Sequence, residues 1–190
     1  MTSPTSPKDH VPDSSRTVLL LVDVINDFEF QGGEDLFRYA LPAARRIKSM
    51  KQAISARGIP TIYANDNFGR WKSNFNDVLE HCLSSDVRGR RVAELLRPEP
   101  EDYFVLKPKY SAFFDSTLDT LLRYLGARKL ILAGFAADMC VLFSANDAYM
   151  RDYSLQVPGN CIASETPARN RMAISYLRDV VKADVSPWKS

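Results

Sequence analysis

Histidine is almost missing from this chain, since only His10 and His81 occur among its 190 residues. His10 lies in a Ser-, Thr- and Pro-containing N-terminal stretch, and His81 lies in a long polar segment where a solvated helix face is its simplest role. A papain-like or serine-hydrolase triad needs a histidine base beside its nucleophile. The sequence also contains no GxSxG, no phosphate-cradling glycine loop and no HExxH motif. These absences argue against the hydrolase classes that depend on such motifs.

Cysteine is nearly as scarce. Cys82, Cys140 and Cys161 are an odd number of thiols, widely spaced, with no CxxC pair. That pattern argues against a disulfide framework and against a structural zinc site. We therefore expect a reducing, cytoplasmic environment in which at least one thiol is free to do chemistry.

Long apolar runs and a strong charge imbalance are also lacking. No run approaches the ~20 apolar residues of a membrane span, and residues 1–16 lack the apolar stretch of a signal peptide. The net charge of +2 gives no reason to expect a nucleic acid or an anionic membrane as partner. The cluster of Arg88, Arg90 and Arg91 is typical of a solvated face. We expect a disordered tail at 1–16 and one domain at 17–190.

Strand and helix signals alternate along that domain. Short apolar runs predict strands at 18–22, 61–64, 103–106, 129–133 and 154–157, with an edge strand at 180–185. The last helix is predicted to be capped by Thr166 and opened by Pro167. Such alternation predicts a three-layer α/β/α, Rossmann-like fold, in which a mostly parallel sheet has helices on both faces. The 65–102 segment is too long for a simple connection, so we interpret it as a lid, a subunit contact or both, with one helix at 77–83.

Three chemically distinctive residues follow predicted strands. Asp23 ends the first strand, Lys107 ends the third, and a glycine- and alanine-containing turn leads from the fourth to Cys140. In parallel sheets, ligands bind beyond the carboxyl ends of the strands. The sequence therefore predicts that these three side chains share one site.

Each of the three residues also has a plain structural interpretation. A thiol at a helix N-terminus is expected to have a lowered pKa, although a lone cysteine is more often buried and inert. Asp23 is expensive to bury unless it is paired, and capping a turn is its alternative role. Lys107, taken alone, would be an ordinary exposed lysine. Together they form a coherent set: a nucleophile, an acid/base and a cation that holds both anions.

Three ordered stretches carry a family resemblance. LLLVDVINDF, VLKPKYSAFFDS and LILAGFAADMCVLFSANDAYMRDY with VPGNCIASE resemble the isochorismatase-like cysteine hydrolases, which include nicotinamidases and N-carbamoylsarcosine amidases. The resemblance implies Asp23 as acid/base, Lys107 as cation and Cys140 as nucleophile. It also implies a cis peptide between Phe135 and Ala136 that aims the backbone N–H groups of Ala136 and Cys140 into an oxyanion hole.

Departures from the family pattern bear on metal and substrate. Where metal-using relatives carry Asp-x-His, this chain reads Asp66-Asn67-Phe68, so we expect no metal and no other cofactor. We expect a small-molecule substrate. Its pocket is predicted to be lined by aromatic side chains, for which core packing is the alternative, and by Asp66, which would bond to the substrate or cap the next turn. The aromatic candidates are Phe28, Trp71, Tyr110 and Phe135.

The sequence leaves several functions open. We expect hydrolysis of an amide, carbamoyl or ureide C–N bond through a thioester. The alternatives are vinyl-ether hydrolysis that uses Asp23 without the cysteine, a redox-sensing thiol, and a non-catalytic interaction module that docks through 65–102. We also expect a homo-oligomer, either a dimer or a tetramer, because that polar segment carries Phe68, Trp71 and Phe75.

Overall fold

The computed structural model describes residues 14–66, 74–84 and 86–189. Its strands are β1 (Thr17–Val22), β2 (Thr61–Asp66), β3 (Tyr103–Lys107), β4 (Lys129–Phe135), β5 (Ser154–Gln156) and β6 (Ile162–Ala163). Its helices are α1 (Gly33–Ser55), α2 (Phe75–Leu83), α3 (Arg90–Leu95), α4 (Leu118–Leu125), α5 (Leu142–Met150) and α6 (Pro167–Asp179). Within these ranges, no helix combines the length and apolar character that a bilayer crossing needs.

The order in which the chain adds strands to the sheet reverses at β1. Its order is β3-β2-β1-β4-β5, β6 pairs with β4, and the pairings between named strands are parallel. The chain therefore adds strands on one side of β1 and then crosses to the other side. Such a reversal opens a crevice at the carboxyl ends of the central strands. The predicted Rossmann-like, mostly parallel fold is confirmed.

Strand β1 is buried on both of its faces. Val18, Leu20 and Val22 pack in a core with residues of α4, α5 and α6, whereas Leu19 and Leu21 pack in a second core with residues of α1, α2 and α3. This sandwiching explains why β1 is a continuous apolar run rather than an alternating one. Helices therefore cover both faces of the sheet, as the sequence predicted.

A glycine lets β4 pass close to β1 beside the crevice. A Cβ atom at Gly134 would lie 2.0 Å from the carbonyl oxygen of Val22, and the φ angle of Gly134 is +128°. Both the steric space and the backbone angle therefore require glycine. This close approach brings the end of β4 next to the residue that follows β1.

The 65–102 segment contains more structure than the sequence indicated. Helix α2 begins at Phe75 because Asn74 and Asp77 form a reciprocal capping box. Helix α3 was not predicted. Phe75 is 4% exposed and packs in the core instead of facing solvent. Phe68 and Trp71 lie outside the described residues.

The two ends of the chain differ in part from expectation. Residues 1–13 of the predicted tail lie outside the described residues, but the backbone N–H of Ser15 donates to the carbonyl of Leu125 at 2.8 Å, so 14–16 already contact the domain. The edge strand predicted at 180–185 is reduced to an isolated bridge between Gln156 and Asp184. The two-residue strand β6 was not predicted. Thr166 caps α6 through Arg169 N–H, as predicted.

Candidate active site

The crevice brings together the three side chains that the sequence singled out. Asp23 directly follows β1 with a left-handed φ of 50°, and Lys107 is the last residue of β3. Cys140 lies in a single π-helical turn, Ala137–Val141, that connects β4 to α5. All three therefore lie at the carboxyl edge of the sheet.

An ion pair forms the centre of this site. Lys107 Nζ lies 2.8 Å from Asp23 Oδ2 and 3.7 Å from Cys140 Sγ, and it also donates to the carbonyl of Lys109 at 3.0 Å. The Lys107 residue is 0% exposed and Asp23 is 5% exposed, whereas Cys140 is only partly buried. A buried ammonium of this kind is stabilised only by close anionic and polar partners. The geometry thus places one cation against both a carboxylate and a thiol.

Backbone contacts fix the Asp23 carboxylate from the side of β2. The N–H of Asp66 donates to Asp23 Oδ1 at 2.8 Å, and the N–H of Asp23 donates to the carbonyl of Ala64 at 2.9 Å. Asp66 is also the register partner of Lys107 across β2 and β3. The end of β2 therefore orients one carboxylate oxygen and leaves the other for Lys107.

The turn that carries Cys140 begins at a cis peptide bond, which joins Phe135 to Ala136. The carbonyl of Ala136 accepts hydrogen bonds from the N–H groups of Met139 and Val141, at 3.1 and 3.2 Å. Helical first turns leave backbone N–H groups without a carbonyl partner in their own helix. Such groups beside a nucleophile are suited to hold a developing oxyanion.

Burial and neighbouring charges shift the pKa values of Asp23 and Lys107 in opposite directions. Burial raises the pKa of Asp23 above its ordinary value, although the Lys107 charge and hydrogen bonds from Cys140, Lys107 and Asp66 oppose that rise. For Lys107, burial lowers the pKa, but the interactions with Asp23, Cys140 and Asp66 together outweigh it, so the net pKa is raised. Lys107 is therefore held as a cation, while Asp23 becomes a stronger proton acceptor than an exposed aspartate.

The Cys140 thiol contradicts the expectation of a lowered pKa. Burial raises its pKa most, the nearby Asp23 carboxylate raises it further, and Lys107 lowers it by less than those two effects together. The position of a helix N-terminus, on which the prediction depended, is thus outweighed by desolvation and by a neighbouring anion. In the free protein the site holds a thiol beside an ion pair, and it needs a base to produce the thiolate.

Two polar contacts behind the site were not predicted. The buried Ser144 hydroxyl donates to the carbonyl of Cys140, four residues earlier, and accepts the N–H of Ala112. Back-bonding from serine to the residue four positions before it is a local helical pattern, so the spacing of Cys140 and Ser144 was an available signal. The second contact joins Arg169 of α6 to Asp138 in the π turn, and that pairing has no signal in sequence spacing.

The predicted aromatic wall needs correction at two positions. Phe28 and Phe135 are both 0% exposed, and their ring centroids lie 6.1 Å apart in the core. Phe28 also packs edge-on against Phe37. Because both rings are fully buried and pack against other aromatic side chains, these two residues have the core role that was the alternative.

The remaining pocket candidates lie in different environments. Tyr110 is 53% exposed and stacks on Phe143 of α5, with centroids 5.7 Å apart. Asp66 is partly buried at the end of β2, where its backbone orients Asp23. Trp71 lies outside the described residues. A substrate role for Tyr110 and Asp66 stays a prediction.

The donor set around the Asp66 position does not fit a catalytic zinc site. Such a site takes three protein ligands. Phe68 has no ligating atom. His81 Nε2 is hydrogen-bonded to Asp27 Oδ2 at 2.9 Å. Among the residues that the structure describes, no three His, Cys, Asp or Glu side chains group together as metal ligands.

Comparison with known proteins gives one family match and several curated relatives. A family model described as Isochorismatase domain matches residues 17–189. An uncharacterized isochorismatase family protein of Bacillus subtilis is 39% identical over 168 residues, which span 88% of this chain and 92% of that protein. A ureidoacrylate amidohydrolase of Methylorubrum extorquens is 29% identical over 178 residues, which span 80% of this chain and 72% of that protein.

Solved structures agree on the fold. The N-carbamoylsarcosine amidase of Thermoplasma acidophilum superposes with a TM-score of 0.67 at 24% identity, covering 91% of this chain and 96% of the other. At this level of identity the likeness concerns the fold, which is the three-layer arrangement described above.

Proposed function

The chain belongs to the isochorismatase family, and we propose that it hydrolyses a C–N bond of a small amide, carbamoyl or ureide compound with Cys140 as nucleophile. The observation that carries this proposal is the buried ammonium of Lys107, which lies 2.8 Å from Asp23 and 3.7 Å from Cys140. An ion pair without a nucleophile would be structural, and a thiol without a base would be inert. Curated relatives that are named amidohydrolases support the substrate class.

Deprotonation of the thiol is the first step. The raised pKa of Cys140 keeps the proton on sulfur in the free protein, and the raised pKa of Asp23 suits that carboxylate to accept it. Asp23 then accepts the Cys140 proton, while Lys107 stays protonated beside the resulting thiolate. A carboxylate whose pKa is raised transfers protons more effectively near neutral pH than an ordinary aspartate.

Attack on the carbonyl carbon follows. The Cys140 sulfur forms a bond to that carbon, and the carbonyl π electrons move onto oxygen, where the N–H groups of Ala136 and Cys140 donate to the oxyanion. When the tetrahedral intermediate collapses, the C–N bond breaks and protonated Asp23 gives its proton to the leaving nitrogen. This step releases an amine or ammonia and leaves a thioester on Cys140.

Water completes the cycle. Asp23, again ionised, accepts a proton from a water molecule, whose oxygen attacks the thioester carbon. The C–S bond breaks, sulfur recovers the proton, and a carboxylic or carbamic acid leaves. No step requires a metal, and the proposal includes none. The three free thiols also suit a reducing, cytoplasmic location, which we retain as part of the proposal.

A screen of small amides, carbamoyl compounds and ureides, scored by ammonia release, tests the proposal. The matched variants are Cys140→Ala, which should abolish turnover, and Cys161→Ala, a buried thiol that should leave turnover intact. Full activity of Cys140→Ala would contradict the thioester route and would favour vinyl-ether hydrolysis by Asp23 alone. A folded protein that turns over none of these classes, and that binds a partner protein equally well as the Asp23→Asn/Cys140→Ala variant, would instead favour the interaction module.

A further inference from the structure

A cavity lies away from the catalytic trio. It has a volume of ≈ 380 Å³ and opens between the middle of α1 and the start of α6, beside the edge strand β6. That volume falls in the range of small-molecule sites. None of Asp23, Lys107 or Cys140 lines it, so it is separate from the site described above.

The cavity has a positive character. Arg46 contributes from α1 and Arg171 from α6, and among the described residues that line it none is acidic. Neither arginine forms an ion pair with a described residue. Burial raises the pKa of the neighbouring Cys161 to about 12, and the charge of Arg46 opposes that rise. Guanidinium groups contributed by two different helices to one cavity are suited to bind a planar or tetrahedral oxyanion.

Two polar atoms in the lining have no partner among the described residues. Ser164 is 0% exposed, and its hydroxyl oxygen makes no hydrogen bond; the buried Oδ1 of Asn170 is also without one. Buried polar atoms are almost always paired in native proteins, because an unpaired one destabilises the fold. The Ser164 hydroxyl is able to donate, and the Asn170 oxygen is able to accept.

We propose that this cavity binds a small organic oxyanion, either a carboxylate or a phosphate, that carries a hydroxyl or N–H donor next to its charged group. Arg46 and Arg171 bind the oxyanion, and the Ser164 hydroxyl donates a further hydrogen bond to it. The neighbouring donor of the ligand bonds to Asn170 Oδ1. A ligand of this kind satisfies both charges and both unpaired atoms at once.

The cavity is physically connected to the turn that carries Cys140. Ala163, one of its lining residues, is the register partner of Phe135, which begins the cis peptide. Arg169, next to the lining residue Asn170, pairs with Asp138 two residues before Cys140. A ligand bound in the cavity would therefore lie against β6 and α6, which contact the elements that position Cys140. The binding itself does not depend on the proposed function, since it is measured without a substrate.

Isothermal titration calorimetry of the full chain tests the proposal with three probes. Lactate offers a carboxylate with a neighbouring hydroxyl, propionate offers the carboxylate alone, and inorganic phosphate represents the phosphate source. We expect saturable binding of lactate or phosphate in the millimolar range. The comparison of those two probes identifies the source of the oxyanion. If lactate is the one that binds, it should bind several-fold more tightly than propionate.

Four variants locate the binding. Arg46→Met and Arg171→Met should each weaken binding about tenfold, because a hydrogen bond to a charged group is lost. Arg45→Met is the matched control: Arg45 is exposed on the same helix and does not line the cavity, so binding should be unchanged. Ser164→Ala should weaken binding without lowering the melting temperature, since it removes an unpaired buried hydroxyl.

Two results would overturn the proposal. One is that neither lactate nor phosphate saturates. The other is that binding persists in both Arg46→Met and Arg171→Met while their melting temperatures match that of the unmodified protein. Equal affinities for lactate and propionate would overturn the assignment of a donor that faces Asn170.

Discussion

The side-chain hydroxyl of Ser144 donates to the carbonyl oxygen of Cys140 at 2.7 Å, and the hydroxyl oxygen of Ser144 accepts the N–H of Ala112 at 2.9 Å. Ala112 lies in the loop that follows β3, and Lys107 itself donates to the carbonyl of Lys109 in that loop. Ser144 of α5 therefore joins the loop that contacts the Lys107 cation to the π turn that carries the thiol.

Removal of this hydroxyl should affect both stability and chemistry. We expect Ser144→Ala to lower the free energy of unfolding by about 1–3 kcal/mol, because the buried Ala112 N–H loses its acceptor. Turnover should fall with little change in KM, since the thiol and the ammonium lose their fixed separation. Ser175→Ala is the control, because that hydroxyl contacts Asp179 near the end of α6. Unchanged turnover in Ser144→Ala would show that the contact is structural only.

Alkylation of Cys140 should follow its raised pKa. We expect iodoacetamide to modify Cys140 before Cys82 and Cys161, because those two are buried and burial is the main cause that raises each of their pKa values to about 12. The rate at Cys140 should nevertheless stay low at neutral pH and increase as the pH rises above the range of a free thiol, about 8.5. Mass spectrometry of the modified peptides against time and pH measures both effects. A rate that levels off below neutral pH would contradict the raised pKa.

We expect Asp23→Asn to change the labelling of Cys140 and the turnover in opposite directions. The carboxylate of Asp23 raises the pKa of Cys140, and Lys107 lowers it. Loss of the carboxylate should therefore lower the thiol pKa and increase alkylation at neutral pH several-fold, while hydrolysis is lost with its base. Slower alkylation of a folded Asp23→Asn protein would contradict this assignment.

Much of the fold was predictable because its central strands are continuous apolar runs. The run at 18–22 indicates a strand buried on both faces, and its neighbours in the sheet have similar runs. The edge elements were not predictable in the same way. Strand β6 contains only Ile162 and Ala163, which is too short for any periodicity, and it is a strand only because β4 lies beside it.

The juxtaposition of the three candidate side chains was predictable, but their electrostatics were not. Strand ends identify Asp23, Lys107 and Cys140, because the topology brings such ends together. The thiol pKa depends on how deeply Cys140 is buried and on its distance from Asp23, and neither is visible in the sequence. The positions of Phe28 and Phe135 were misjudged for a related reason: an aromatic residue near a strand end can face the crevice or the core.

Substitution at Gly134 should be severe. Gly134→Ala places a Cβ atom 2.0 Å from the Val22 carbonyl oxygen and adds a side chain at a φ of +128°. We expect a loss of several kcal/mol in the free energy of unfolding, measured by urea denaturation. Gly58→Ala separates the two effects, because Gly58 has a φ of +68° with open space around its Cβ position. Gly58→Ala should lower the free energy of unfolding by only about 1–2 kcal/mol. Equal losses of stability in the two variants would contradict the close approach of β4 to β1.

Exposed rings suggest where a second copy would bind. Tyr110 is 53% and Phe143 48% exposed although they stack on each other, and Met150, two helical turns after Phe143, is 71% exposed. Apolar side chains grouped on a surface are typical of protein contacts. The expected homo-oligomer would therefore use this face of α5, since Phe75 of the 65–102 segment is buried.

Light scattering at micromolar protein measures this association. We expect the mass of a dimer or tetramer, and dissociation of the Phe143→Glu variant. Phe104→Glu is the control, because Phe104 is 57% exposed but stacks on Phe75 at a different place in the fold. A monomeric mass for the unmodified chain would contradict the prediction, and equal dissociation by both variants would contradict the choice of surface.

A double-mutant cycle on Asp23 and Lys107 distinguishes a catalytic unit from a structural ion pair. Asp23→Asn leaves the 0% exposed Lys107 ammonium without its carboxylate, and Lys107→Met leaves the carboxylate without its cation. We expect each single variant to lose about 3–5 kcal/mol of stability, because an uncompensated charge stays buried. The double variant should regain much of that loss, since no unpaired charge remains.

Turnover should respond differently from stability in the same cycle. If the two residues act as one unit with Cys140, either single change removes most of the activity and the double change removes little more. The double variant would then be stable and inactive, a combination that a purely structural pair does not give. Strictly additive losses of activity would show that Asp23 and Lys107 act separately, for instance as binding groups. A double variant as unstable as the sum of its singles would show that the 2.8 Å contact does not couple the two charges.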